Sequence, residues 1–88
     1  MKYALVTGCD HGVGLSLAQQ LIERGYMTIA CCLSGEPEEL KNMDPEMVKV
    51  FQLDIGNDRS VNELRNAVEK AVPSLDLLIN NAGILGEM

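Results

Sequence analysis

The feature that most constrains this chain is a glycine-rich turn near its start. The turn runs from Thr7 to Gly14 (TGCDHGVG) and follows the short apolar run 3–6. A periodic stretch then continues to Arg24. A short apolar run bounded by turn residues is typical of a buried strand, and apolar residues three and four positions apart are typical of a helix. The sequence therefore predicts a strand that passes into a helix through this turn.

Three glycines give the turn its chemical interest. Gly8 can adopt the dihedral angles of a tight strand-to-helix turn, Gly12 has no Cβ to keep a ligand from the backbone, and Gly14 lets the helix approach the strand. The unpaired amides at the start of such a helix bind anions, and in this context the usual anion is a dinucleotide pyrophosphate. Because three residues separate Gly8 from Gly12, the spacing departs from Gly-x-Gly-x-x-Gly. A turn that only caps the helix remains the alternative at this point.

Charge and cysteine content exclude several classes of function. The chain has 88 residues and a formal net charge of −6, whereas nucleic acids and anionic membrane surfaces need clustered Lys and Arg. Its apolar runs are too short for a secretion signal or a membrane helix, which predicts a single cytoplasmic domain. Cys9, Cys31 and Cys32 have neither zinc-site nor disulfide spacing. Cys9 is either a reactive thiol near a helix N-terminus or a small residue that fills the turn, and we favour the second.

The rest of the chain alternates between short apolar strands and one-sided helices. After the turn we predict a helix to residue 24, a strand at 27–32, a short helix at 38–43, a strand at 48–53, a helix from 58 to before Pro73, and a strand at 76–79. We expect the first helix to bury Val13, Leu17, Ala18, Leu21 and Ile22. This alternation predicts an α/β fold, a doubly wound parallel sheet with helices on both faces.

The strand order follows from the handedness of crossovers. Right-handed connections from the first strand to the third, and a return beside the first, predict the order 3-2-1-4. A ligand crevice is then expected at the carboxyl ends of strands 1 and 4, between loops 7–14 and 80–83.

Both of these loops resemble motifs of the short-chain dehydrogenase/reductase family. The family's cofactor loop, Thr-Gly-x-x-x-Gly-x-Gly, is similar to 7–14, and its Asn-Asn-Ala-Gly after the fourth strand is similar to 80–83. The resemblance covers the whole chain. It implies a Rossmann-type sheet, an NAD or NADP cofactor, and hydride transfer between the nicotinamide and an alcohol or carbonyl substrate.

The resemblance also implies roles for individual residues. The amides from Gly12 to Gly14 would hold the pyrophosphate, Asp54 and Ile55 the adenine, and 81–83 the ribose towards the nicotinamide, while Asn80 braces the sheet. A turn or cap residue remains the alternative for Asp54. The candidate cofactor-binding residues are Gly8, Cys9, Asp10, His11, Gly12, Val13, Gly14, Leu33, Asp54, Ile55, Asn81, Ala82 and Gly83.

The sequence gives only a weak indication of whether the cofactor is NAD or NADP. An acidic residue about 20 positions after the loop favours NAD, and a basic one favours NADP. Residues 32–34 offer neither, since Leu33 stands where many NADP-preferring members have arginine. His11 lies where those members often carry a basic residue. The balance leans marginally to NADP, with NAD as the alternative.

The family's catalytic serine and Tyr-x-x-x-Lys pair are not matched, because neither Tyr3 nor Tyr26 has a lysine four residues later. We therefore expect 1–88 to be the N-terminal portion of a dinucleotide-binding Rossmann domain without its catalytic portion, compatible with a homo-oligomer. The alternative is a non-catalytic nucleotide-binding or cofactor-sensing module. A methyltransferase-like site is disfavoured because Cys32, not an acid, ends strand 2, and a P-loop is excluded because no Gly-Lys-Ser/Thr follows the glycines.

Overall fold

Four parallel strands and three helices alternate along the part of the chain that the computed structural model describes, residues 1–10, 12–33, 35–54 and 56–79. In chain order the elements are β1 (Lys2–Thr7), α1 (Gly12–Glu23), β2 (Tyr26–Cys32), α2 (Glu38–Lys41), β3 (Val48–Gln52), α3 (Asp58–Ala71) and β4 (Leu77–Ile79). The strands form a sheet in the order β3-β2-β1-β4. Both the α/β class and the strand order predicted from the sequence are confirmed.

The direction of the strand order reverses at β1. This strand pairs with β2 on one side, where Thr7 lies opposite Cys31, and with β4 on the other, where Val6 lies opposite Ile79. Both pairings are parallel, so the carboxyl ends of the three strands meet at one edge of the sheet. Ligands of open α/β sheets bind at such a reversal, and the turn after β1 lies there.

One face of the sheet is covered by α1. The buried residues of α1 are small or branched, which allows the helix to lie close to the strands: Gly14, Leu15, Ala18, Leu21 and Ile22. They share a core cluster with alternate strand residues that point to the same face, among them Ala4, Val6, Ala30 and Cys32. This packing fixes the start of α1 against the end of β1.

The buried face of α1 differs from the prediction at its first turn. Val13 is 66% exposed, whereas Leu15, which the prediction did not include, is 8% exposed. At 3.6 residues per turn Val13 lies about 140° around the helix from the buried Ala18. The prediction that Val13 packs on the sheet is therefore wrong, and this side chain is exposed in the first turn of α1.

The opposite face is covered by α3. Val61, Leu64 and Val68 of this helix are half-buried and pack against a second core cluster that includes Leu5 and Ile29. The N-terminus of α3 is capped by Asn57, whose Oδ1 accepts hydrogen bonds from the N–H groups of Arg59 at 2.9 Å and Ser60 at 3.2 Å. Helices on both faces confirm the doubly wound arrangement.

An apolar groove runs beside α3 on the β4 side of the sheet. It encloses about 340 Å³, and its lining includes Leu5, Leu53, Leu64, Leu75 and Leu78. Leu78 is 62% exposed and Leu75 is 39% exposed. Within the described residues β4 is an edge strand, as the sequence predicted, so apolar surface is left uncovered there.

Candidate cofactor-binding site

The glycine-rich turn continues the pairing of β1 with β2 before it enters α1. The N–H of Cys9 donates to the carbonyl of Cys31 at 3.0 Å, so the backbone of the turn is still held by β2. Gly8 has a φ of 69° and Gly12 a φ of 64°, both in the left-handed region that favours glycine. The two glycines therefore mark the two points at which the chain changes direction.

Open space lies in front of the amino end of α1. A Cβ placed on Gly12 would meet no atom of the described residues within 4 Å, and both Gly12 and Val13 are exposed. The first turn of α1 contains no acidic residue, so no carboxylate of the helix itself competes for its unpaired amides. An anion can approach these amides, which have the partial positive charge of a helix N-terminus. The turn thus fits the pyrophosphate of a dinucleotide.

The side chain of Asp10 ties the turn to the end of β2. Its Oδ1 accepts a hydrogen bond from the N–H of Leu33 at 3.0 Å. The carbonyl of Leu33 in turn accepts a hydrogen bond from Nε2 of Gln52 at 3.1 Å. These two hydrogen bonds hold the backbone of Leu33, whereas the residue is 55% exposed and its side chain faces solvent. Sequence reasoning included Asp10 and Leu33 separately and missed this link, for which the only signal was a carboxylate within the turn.

The three cysteines are buried beside the turn. Burial, with the charges of Cys32 and Asp10 adding to it, raises the pKa of Cys9 from 9.0 to about 12. Burial likewise raises the pKa of Cys31 to about 12. The Cys9 thiol donates a hydrogen bond to the carbonyl of Val6 at 3.2 Å. A protonated, enclosed thiol is a poor nucleophile, so the structure favours Cys9 as a small residue that fills the turn.

Asp54 lies just after β3, at the same edge of the sheet. Its Oδ1 accepts a hydrogen bond from the N–H of Gly56 at 3.0 Å, and its own N–H donates to Oγ of Ser60 at 2.9 Å. These contacts are those of a turn residue that leads into α3. The preceding Leu53 donates its N–H to the carbonyl of Cys32 at 2.9 Å, which keeps this turn next to the end of β2.

Several predicted site residues lie outside the described residues: His11, Ile55, Asn80, Asn81, Ala82 and Gly83. Across the described ranges no group of three or more His, Cys, Asp or Glu could hold a metal ion. Over the same ranges, no helix has the length and apolar character needed to cross a membrane.

A family model described as short chain dehydrogenase matches residues 2–88 of the sequence. The chain belongs to this family. The chain is 37% identical over 86 residues to short-chain dehydrogenase/reductase family 9C member 7 of Mus musculus, covering 94% of this chain and 28% of that protein. It is 38% identical over 86 residues to 17-beta-hydroxysteroid dehydrogenase type 6 of Rattus norvegicus, covering 94% of this chain and 27% of that protein. The chain therefore spans little more than a quarter of the length of these relatives.

Solved structures show the same fold. Menthone neomenthol reductase from Mentha piperita has a TM-score of 0.77 and 28% identity, covering 91% of this chain and 31% of that one. A 4-hydroxyisoleucine dehydrogenase complexed with NADH has a TM-score of 0.76 and 20% identity, covering 89% of this chain and 32% of that one. These similarities show that the described strands and helices have a Rossmann-type fold.

Proposed function

We propose that residues 1–88 are the N-terminal, NAD(P)-binding portion of a dehydrogenase that transfers hydride between a nicotinamide cofactor and an alcohol or carbonyl substrate. The observation that carries this proposal is the open space in front of Gly12 at the amino end of α1. It lies where the strand order reverses, and the chain belongs to a family of dehydrogenases. When bound, the nicotinamide accepts or supplies the hydride, and the residues of this chain bind and orient the dinucleotide.

The roles of the candidate residues are those that the family resemblance implies. In this proposal the amides from Gly12 to Gly14 hold the pyrophosphate, and 81–83 lead towards the nicotinamide. Asp54 and Ile55 contact the adenine. A carboxylate offers about four acceptor sites, so the hydrogen bond from Gly56 to Asp54 leaves acceptor capacity for an adenine amino group.

Two observations support the part of the proposal that concerns a larger protein. The chain covers 27–28% of the relatives' length, and the groove beside α3 leaves Leu75 and Leu78 exposed. Further chain that packs over this groove would bury that surface.

The three free cysteines, Cys9, Cys31 and Cys32, are typical of a reducing compartment, and we propose the cytoplasm.

Binding of ADP-ribose to the purified chain tests the cofactor site. This ligand contains the adenosine and pyrophosphate that the described residues would contact, and it needs no catalytic residue. We expect saturable one-to-one binding by calorimetry, with adenosine alone bound far more weakly because it lacks the pyrophosphate. Equal affinity for adenosine and ADP-ribose would contradict a pyrophosphate site at the turn, and no binding of either would contradict the cofactor function.

Absorbance of NADH and NADPH at the nicotinamide band tests the reaction. We expect no hydride transfer by the 88-residue chain, because it has no Tyr-x-x-x-Lys pair, and transfer by a longer gene product that contains this pair. Steady turnover by the 88 residues would refute the assignment as a portion. Dinucleotide binding without hydride transfer by the longer product would favour a cofactor-sensing module instead.

A further inference from the structure

The carboxylate of Asp10 lies at the end of β2, a position that the sequence alone does not indicate. Asp10 belongs to the glycine-rich turn, but its Oδ1 lies 3.0 Å from the backbone nitrogen of Leu33, 23 positions later in the chain. Leu33 directly follows the last residue of β2. The carboxylate of this turn residue therefore lies at the end of the neighbouring strand.

The end of β2 is where dinucleotide folds distinguish their two cofactors. An acidic side chain there accepts a hydrogen bond from the ribose 2′-hydroxyl of NAD, whereas NADP needs a cation for its 2′-phosphate. In this chain the strand ends in Cys32, and Leu33 follows it. Neither residue offers a carboxylate for the 2′-hydroxyl or a cation for the 2′-phosphate. Asp10 supplies the missing carboxylate from another loop.

The electrostatics of the neighbouring thiol agree with this placement. Burial, followed by the charges of Asp10 and Glu36, raises the pKa of Cys32 to about 11. Two carboxylates therefore act on the end of β2. A phosphate monoester carries about 1.5 to 2 negative charges at neutral pH, so a 2′-phosphate would be repelled at this point.

We infer that Asp10 is the residue that selects NAD over NADP, by accepting a hydrogen bond from the ribose 2′-hydroxyl and by repelling a 2′-phosphate. The inference rests on the proposed cofactor function. It reverses the marginal preference for NADP that residues 32–34 and His11 indicate in the sequence. The sequence pattern does not show that the side chain of Asp10 reaches the end of β2 from the turn.

The test compares ADP-ribose with 2′-phospho-ADP-ribose, which differ only in the phosphate. Asp10→Asn is the informative variant, since its amide oxygen can still accept the hydrogen bond from Leu33 while the negative charge is removed. Asp44→Asn is the matched control: the Oδ1 of Asp44 also accepts a backbone hydrogen bond, from the N–H of Glu46 at 2.9 Å, but in a turn between α2 and β3. The amide resonance of Leu33 reports whether the tie to the turn is kept in each protein.

We expect the parent to bind ADP-ribose more tightly than the phosphorylated ligand. Asp10→Asn should narrow this preference by about tenfold at low salt, and less at high salt because ions screen the repulsion. Asp44→Asn should leave the preference unchanged. If the parent binds both ligands equally or prefers the phosphorylated one, or if Asp10→Asn keeps the parental ratio, the inference is wrong while the cofactor function stands. If neither ligand binds the parent, the proposed function itself fails and the inference with it.

Discussion

Replacing Gly12 with alanine separates the role of the turn in binding from its role in folding. Gly12 has a φ of 64°, and Gly25, just beyond the other end of α1, has a φ of 90°. A Cβ at either position meets no atom within 4 Å in the part of the chain that the structure describes, so neither substitution causes a clash there. Each forces an L-residue into the left-handed region, which costs about 1 to 2 kcal/mol. The two variants should therefore lose similar stability.

The difference between the two variants lies in what the added methyl group faces. At Gly12 it enters the space through which a pyrophosphate would reach the amides of α1, whereas Gly25 lies at the opposite edge of the sheet, before β2. For a domain of this size each variant should melt roughly 4 to 16 °C lower than the parent. Gly12→Ala should in addition weaken ADP-ribose binding by about tenfold or more, as expected when a helix-terminus site loses close approach.

The assay is thermal melting of each variant followed by calorimetric titration well below both transitions. Gly25→Ala should bind as the parent does. Parental affinity in Gly12→Ala would refute the assignment of this turn as the pyrophosphate site. Equal loss of affinity in both variants would show that binding follows stability and has no local origin at the turn.

Three further predictions concern Gly14, Leu33 and the buried cysteines. Gly14→Val, at a buried position of α1, should lose about 1 to 3 kcal/mol through overpacking together with ADP-ribose binding; parental binding would argue against the site. Leu33→Arg should improve NADP binding about tenfold to a hundredfold in a salt-sensitive way and leave NAD nearly unchanged; equal changes would mean that Leu33 is not beside the ribose. Because burial raises the pKa of Cys9 and Cys31 from 9.0 to about 12, the folded state keeps protons that the unfolded state releases. The contribution of these thiols to stability is present below pH 9 and falls as the pH rises towards 12. The free energy of unfolding measured with urea should therefore decline over this pH range, and Cys31→Val should make the decline less steep. An unchanged slope would mean that another group causes the decline.

The fold could be predicted because each element has a local signal and the crossover rule is strong. The apolar run at β4 is only three residues long in the structure, Leu77–Ile79, yet its place beside β1 follows from handedness and from the helix that precedes it. The helix from residue 58 likewise begins where its pattern predicts, directly after Asn57, whose side chain caps it with two hydrogen bonds. The periodic signal failed at Val13, because an apolar residue in a first turn can face the open end of the helix.

The link between Asp10 and Leu33 has no comparable signal in the sequence. A side chain that reaches from a turn to the backbone of a neighbouring strand follows no period, and its partner is an N–H group that every residue except proline has. The state of Cys9 is similarly hidden. Its position near a helix N-terminus would lower a thiol pKa, whereas complete burial raises it, and only the packed structure shows that burial dominates.

The proposed site would require an acidic chain to hold an anion at one point and to repel one nearby. The net charge is −6, so the affinity for a pyrophosphate has to come from backbone amides, whose partial charges act at short range. The first turn of α1 has no acidic residue, and the nearest carboxylate of the turn, that of Asp10, is held by Leu33 at the end of β2. In the proposed site, attraction would act on the pyrophosphate of the dinucleotide and repulsion on a phosphate at its ribose 2′-position. If Asp10 selects the cofactor as inferred, then its hydrogen bond with the N–H of Leu33 would join cofactor selectivity to the geometry of the turn.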